Sequence, residues 1–389
     1  MKKRYGGLIL ALTLSMTFTA FAQEYDYEKK DYWYQEAEAL QSFSDYNTME
    51  DLFTALGAAD AGYSVDAFIN SPMGELMMDD CWHYVEWSDP MDEELLDYWE
   101  NYGGGIRKEM HHAGDEAFEW ASYVPMSAYE EANADKAYPV MVVCRGGDDP
   151  KYTAECFGFV HHAAETQEYI VVIPTDREPD AVQKMLDELK ADYPVDESRI
   201  YVTGNSMGGM QALYNGWAYP EVFSAVVPFG IGAQSYLEGE QLERIQELKM
   251  PMFYLYGTMD CYHSFPVTEC ALKEPEDGVW EINELLAAND CVFEELTVEE
   301  AENLAENSEE YIEKVTGMSF PKTWSEERED TTYYFGEYCT ADGQSMYRVA
   351  IAENGTHWHS PSYPELIWDY VSQFSRNTET GELVIEEQQ

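Results

Sequence analysis

Positive charge is scarce in this 389-residue chain: 22 Lys and Arg stand against 76 Asp and Glu, for a formal charge of −54. So acidic a surface repels phosphate backbones and anionic headgroups, which makes nucleic acid and anionic lipid poor partners. No D-x-D-x-D-G calcium loop occurs, so the abundance of acids reads as a compositional bias and announces no metal site. Internal repeats are absent, which excludes a propeller or a solenoid. Long apolar runs are also missing: after the first 22 residues no segment is apolar enough to cross a membrane.

The apolar run that does exist is at the start. Lys2, Lys3 and Arg4 precede Leu8 to Ala20, and Ala20-Phe21-Ala22 supplies a small-x-small cleavage pattern. The expectation is a signal peptide over 1–22, cut after Ala22, and a secreted protein with no membrane attachment after cleavage. No cysteine follows the run directly, which argues against a lipoprotein. The seven cysteines are an odd number for an exported chain. Cys144 lies in an apolar segment and reads as a buried thiol. Cys291 and Cys339 flank an acidic stretch and form one candidate pair; Cys261 and Cys270 form another, and sequence leaves the connectivity open.

Residues 23–114 show no regular alternation of strand and helix and read as a mainly helical extension rich in aromatics. From 115 to 389 the pattern changes. AFEWASYVP, YPVMVVC, YIVVIP, RIYVTG, SAVVPFG, MPMFYLYG and MYRVAIAEN read as strands, several of them continuously apolar as strands buried on both faces must be. The segments between them, DAVQKMLDELKADY, GGMQALYNGWAYP and YPELIWDYVSQFSR among them, read as helices. Strands alternating with helices of this length imply an α/β fold, a mostly parallel sheet covered on both faces. The acidic stretch at about 292–332 reads as a helical insertion into that sheet.

Gly204-Asn205-Ser206-Met207-Gly208 lies between the strand RIYVTG and a helix. A strand that turns at once into a helix forces a tight, strained bend at the serine, where side chains at 204 and 208 would collide. The bend lifts the hydroxyl above the carboxyl edge of the sheet, beside a helix N-terminus that favours negative charge. A serine hydroxyl is a poor nucleophile near neutral pH and needs a histidine base oriented by a carboxylate. In the order Ser, acid, His, the acid is Asp260, in YLYGTMD after a strand; Asp277 and Asp290 are weaker choices. The base is His357, the first histidine past the Gly355 turn in NGTHWHSP, with His359 as the reserve. The adjacent pairs His111-His112 and His161-His162 diverge if helical, and read as structural or surface residues. Two backbone N–H groups must meet the oxyanion: that of Met207, after the nucleophile, and that of Gly147, in the loop Arg145-Gly146-Gly147-Asp148.

These segments, with VDESRIYVTGNSMGGM the most specific, make residues 115–385 resemble the bacterial esterases related to feruloyl esterases and polyhydroxybutyrate depolymerases. The resemblance implies an α/β-hydrolase fold and ester hydrolysis through an acyl-serine, without a cofactor, by Ser206, Asp260 and His357. It also implies a Cys291–Cys339 bridge. The family usually has His where this chain has Arg145. By analogy the substrate is a feruloyl or acetyl ester linked to plant polysaccharide. The rival readings are a polyester depolymerase, a prolyl-oligopeptidase-like peptidase, and a non-catalytic binding protein on the same fold. Oligomeric state is left open.

Overall fold

The structure is a computed structural model that describes residues 93–112, 118–147, 154–155, 157–231, 237, 239–258, 282–328, 331–353, 355 and 359–385. The expected signal peptide, nearly all of the expected extension, Asp260, His357, Cys261 and Cys270 lie outside the described residues.

The strands run β1 (Ile106–His112), β2 (Phe118–Pro125), β3 (Tyr138–Cys144), β4 (Ile170–Pro174), β5 (Val195–Asn205), β6 (Phe223–Phe229), β7 (Met252–Gly257), β8 (Lys322–Glu327), β9 (Thr332–Cys339) and β10 (Ser345–Ala352). All ten share one sheet in the order β1-β2-β4-β3-β5-β6-β7-β10-β9-β8. From β4 to β10 every neighbouring pair is parallel. β1 and β2 at one edge, and β9 and β8 at the other, are antiparallel. A short hairpin, β11 (Phe374–Arg376) with β12 (Leu383–Ile385), closes the chain.

The helices are α1 (Glu93–Asn101), α2 (Phe159–Thr166), α3 (Pro179–Asp192), α4 (Met207–Ala218), α5 (Gly239–Leu248), α6 (Ile282–Ala288), α7 (Val298–Asn307), α8 (Tyr311–Thr316) and α9 (Tyr363–Val371). The period of two along each central strand explains its unbroken apolar run. Val140, Val142 and Cys144 of β3, with Met252, Tyr254 and Tyr256 of β7, face one core shared with Leu186 of α3, Leu213 and Trp217 of α4 and Ile245 of α5. Met141, Val143, Phe253 and Leu255 face the other, shared with Trp99 of α1, Val160 of α2 and Ile367 and Tyr370 of α9. Both faces are buried, as a parallel sheet covered by helices requires. This is an α/β-hydrolase fold.

Two regions differ from expectation. The sheet takes in β1, which precedes the boundary expected at 115; its second buried position, Lys108, bonds Glu155 at 2.5 Å with both side chains inside the protein. The His111-His112 pair is on this strand and not on a helix; His111 stacks on Trp120 with ring centroids 3.5 Å apart and shares a 2.8 Å hydrogen bond with Ser122. The acidic stretch is only partly helical. After α7 and α8 it forms β8 and leads into β9, extending the sheet instead of interrupting it. Among the described residues no helix is long and apolar enough to cross a membrane.

Candidate active site

β5 runs straight into α4 through Ser206, whose backbone sits at φ 53°, ψ −120°. A non-glycine residue there is strained, and the surrounding hydrogen bonds hold it: Ser206 N–H donates to the Phe229 carbonyl of β6 at 2.9 Å, and the Ser206 carbonyl accepts from Met210 N–H at 3.1 Å. The collision expected at the flanking glycines is present. A Cβ on Gly204 would stand 2.5 Å from the Gly208 carbonyl oxygen and 2.6 Å from that of Cys144, and one on Gly208 would run into the carbonyls of Cys144 and Arg145. Only a backbone without side chains lets the end of β3, the elbow and α4 lie so close. Ser206 is half-buried, and Met207 opens α4 with its side chain 44 % exposed. As the first residue of the helix, Met207 has an N–H with no intrahelical acceptor, and the dipole of α4 adds to its pull on an anion.

The loop leaving β3 touches this elbow. Gly146 is buried and Gly147 half-buried. Two guanidinium groups grip its carbonyls. Arg177, in the connection between β4 and α3, donates to the carbonyl of Arg145 at 2.6 Å and to those of Gly146 and Gly147 at 3.2 Å each. Arg145 donates to the carbonyl of Gly147 at 2.9 Å and, more weakly, to that of Gly146 at 3.4 Å. Beneath the loop, burial pushes the Cys144 thiol up to about 12 despite these two cations. Cys144 is the buried free thiol that its place in an apolar strand implies.

His359, the reserve base, is 1 % exposed and packs against the Phe157 ring at 5.6 Å. Burial, with a smaller contribution from His161, pushes its pKa down to about 3. Cys291 and Cys339 are recorded as thiols on neighbouring segments: Cys291 bridges to Thr340, and Val292 N–H donates to the Cys339 carbonyl at 2.8 Å. Among the described residues no group of three or more His, Cys, Asp or Glu is placed to hold a metal ion. Sequence reasoning did not single out Arg177. Nothing in the string TDREP marks it, and its partners lie some thirty residues away along the chain.

Residues 125–235 match the family model described as "Putative esterase". The segment contains β3, the glycine loop and the elbow. A bifunctional acetylxylan esterase/xylanase of Neocallimastix patriciarum is 23 % identical over 197 residues, covering 46 % of this chain and 28 % of that protein. Poly(3-hydroxyalkanoate) depolymerase C of Paucimonas lemoignei is 36 % identical over 52 residues, 13 % of each chain. The chain thus spans less than a third of the length of the curated relatives it matches. Among solved structures, a mutant feruloyl esterase module from Clostridium thermocellum, complexed with sinapinate, aligns at 13 % identity with a TM-score of 0.41, covering 70 % of this chain and 88 % of that one. Over its matched segment, which contains the elbow, the chain resembles the esterases of that family.

Proposed function

We propose that this protein is a secreted serine hydrolase that cleaves carboxylic esters through an acyl-serine. The observation that carries the reading is Ser206, held in a strained turn between β5 and α4 with the Met207 N–H beside it. Strain of this kind costs about 1–3 kcal/mol and survives where the surroundings over-determine it, as at a nucleophile.

In the proposed reaction His357 takes the Ser206 proton, oriented by Asp260, and the Ser206 Oγ attacks the ester carbonyl. The negative charge that develops on the carbonyl oxygen meets the N–H groups of Gly147 and Met207. The tetrahedral intermediate expels the alcohol, which takes the proton from His357. Water then attacks the acyl-serine, and the acid leaves a protein of the same sign of charge. The burial of His359, with a pKa pushed far down, supports His357 as base. A feruloyl or acetyl ester of plant polysaccharide is the favoured substrate, supported by the acetylxylan esterase named in the comparison. The short match to a polyhydroxyalkanoate depolymerase, higher in identity over 52 residues, favours a second reading, a polyester substrate. Turnover of acetylated xylan, methyl ferulate and 3-hydroxybutyrate oligomers by the purified protein separates the two. Hydrolysis of the hydroxybutyrate oligomers alone would remove the plant-polymer reading.

A further inference from the structure

Resting on the proposed serine-esterase reading, we propose that Arg177 is a positioning residue of the oxyanion site: its guanidinium holds the Gly146–Gly147 peptide so that the Gly147 N–H is presented to the oxyanion. A trans peptide is planar, and its C=O and N–H point to opposite sides. The Gly146 carbonyl and the Gly147 N–H belong to one such unit. With that carbonyl turned onto Arg177 Nη1 at 3.2 Å, the Gly147 N–H points the other way. The same fork also takes the Arg145 carbonyl at 2.6 Å and the Gly147 carbonyl at 3.2 Å, so one side chain bonds three successive peptides, the last two of which Arg145 also holds. A glycine pair has more backbone freedom than any other dipeptide, so it needs such an external clamp.

The clamp is registered against the nucleophile. The Arg177 carbonyl accepts from Asn215 Nδ2 at 2.9 Å, and Asn215 is a buried residue of α4, the helix that begins after Ser206. Gln211 of the same helix donates to Glu178 at 3.2 Å. One residue therefore ties the helix of the nucleophile, through its backbone, to the glycine loop, through its side chain. The guanidinium also acts through the bond it makes. A cation bonded to a peptide carbonyl polarises the unit, and hydrogen bonds in series strengthen one another, so the Gly147 N–H becomes a better donor to an anion.

Arg177 also lines a surface depression with Thr175, Asp176, Glu178 and Gln211, which gives a small cation access from solvent. The test compares wild type, Arg177→Ala, Arg177→Gln and Ser206→Ala with p-nitrophenyl acetate and a phenylboronic acid, which forms a tetrahedral adduct on serine. Loss of one oxyanion donor costs about 100- to 1000-fold, so loosening one is expected to lower kcat by about tenfold or more. KM should change little, boronic acid affinity should fall in parallel with kcat, and added guanidinium ion should restore Arg177→Ala. Arg177→Gln keeps a donor without the charged fork, and its kcat should fall too; it serves if the alanine variant does not fold. Wild-type kcat and boronic acid affinity in a folded Arg177 variant, with Ser206→Ala dead, would overturn the inference alone. Wild-type turnover in Ser206→Ala would overturn the reading beneath it.

Discussion

The Cys144 carbonyl oxygen, at the end of β3, stands 2.6 Å from the place a Cβ on Gly204 would occupy. The same oxygen blocks a Cβ on Gly208, so one carbonyl fixes glycine on both sides of Ser206. Gly208→Ala must push the loop after β3 away from α4. We expect a loss of about 1–3 kcal/mol from overpacking. Turnover should fall by more than that stability loss explains, because the displaced loop carries Gly147. Thermal melts and kcat measured on the same preparation check both parts.

Glu337 of β9 carries a buried carboxylate bonded by Arg348 Nη2 at 2.6 Å and Lys322 Nζ at 2.7 Å. Burial by itself would raise its pKa. The Arg348 charge and the hydrogen bonds from Lys322 and Arg348 outweigh it and hold the pKa below the ordinary 4.5. The unfolded chain therefore takes up this proton first as pH falls. The stabilisation is full above about 4.5 and is lost as pH drops through the lower folded-state value. Glu337→Gln should cost about 2 kcal/mol at neutral pH by leaving Arg348 poorly compensated. Its melting temperature should also vary less with pH below 5 than that of the wild type.

His359 has a folded-state pKa of about 3, set first by burial, against an ordinary value of 6.5. Here too the unfolded chain binds the proton first, so stability is full above 6.5 and is lost progressively between 6.5 and 3 as the pH falls. The acid limb of the pH–rate profile should therefore belong to another histidine. We expect His359→Gln to melt at a lower temperature yet keep the wild-type limb, while His357→Ala loses several orders of magnitude in turnover. A displaced acid limb in His359→Gln, with His357→Ala still active, would reverse the assignment.

Cys291 and Cys339 lie on neighbouring segments that enclose α7, α8 and β8. Closing a loop of that length is worth about 4 kcal/mol in the chain-entropy picture. Burial pushes the Cys291 thiol up to about 12, so the reduced pair reacts slowly with alkylating agents at neutral pH. We expect non-reducing peptide mapping of protein exported into an oxidising medium to find the two joined. Recovery of both as free thiols would remove the bridge.

The elbow and the seven strands expected from the sequence were legible because each rests on a pattern that burial enforces. YPVMVVC is unbroken since Val140 and Met141 enter different cores. β1 was not legible, because the inward position that would reveal its alternation is Lys108, tolerated there only by its bond to Glu155. β8 was hidden for a different reason. KTWSEE is a largely exposed edge strand with charges along it, a composition that discourages pairing with other chains and reads as loop. Arg177 leaves no local trace, since its role is defined only by carbonyls that the fold brings to it.

The most direct test of the central claim is the labelling of Ser206. We expect the wild-type protein to hydrolyse p-nitrophenyl acetate and to take up one equivalent of a fluorophosphonate, with the adduct on the peptide containing Ser206. Ser206→Ala, with an unchanged circular dichroism spectrum, should lose both, leaving a residual rate about a million-fold below wild type. A folded Ser206→Ala protein that still turns over ester near the wild-type rate would contradict the account.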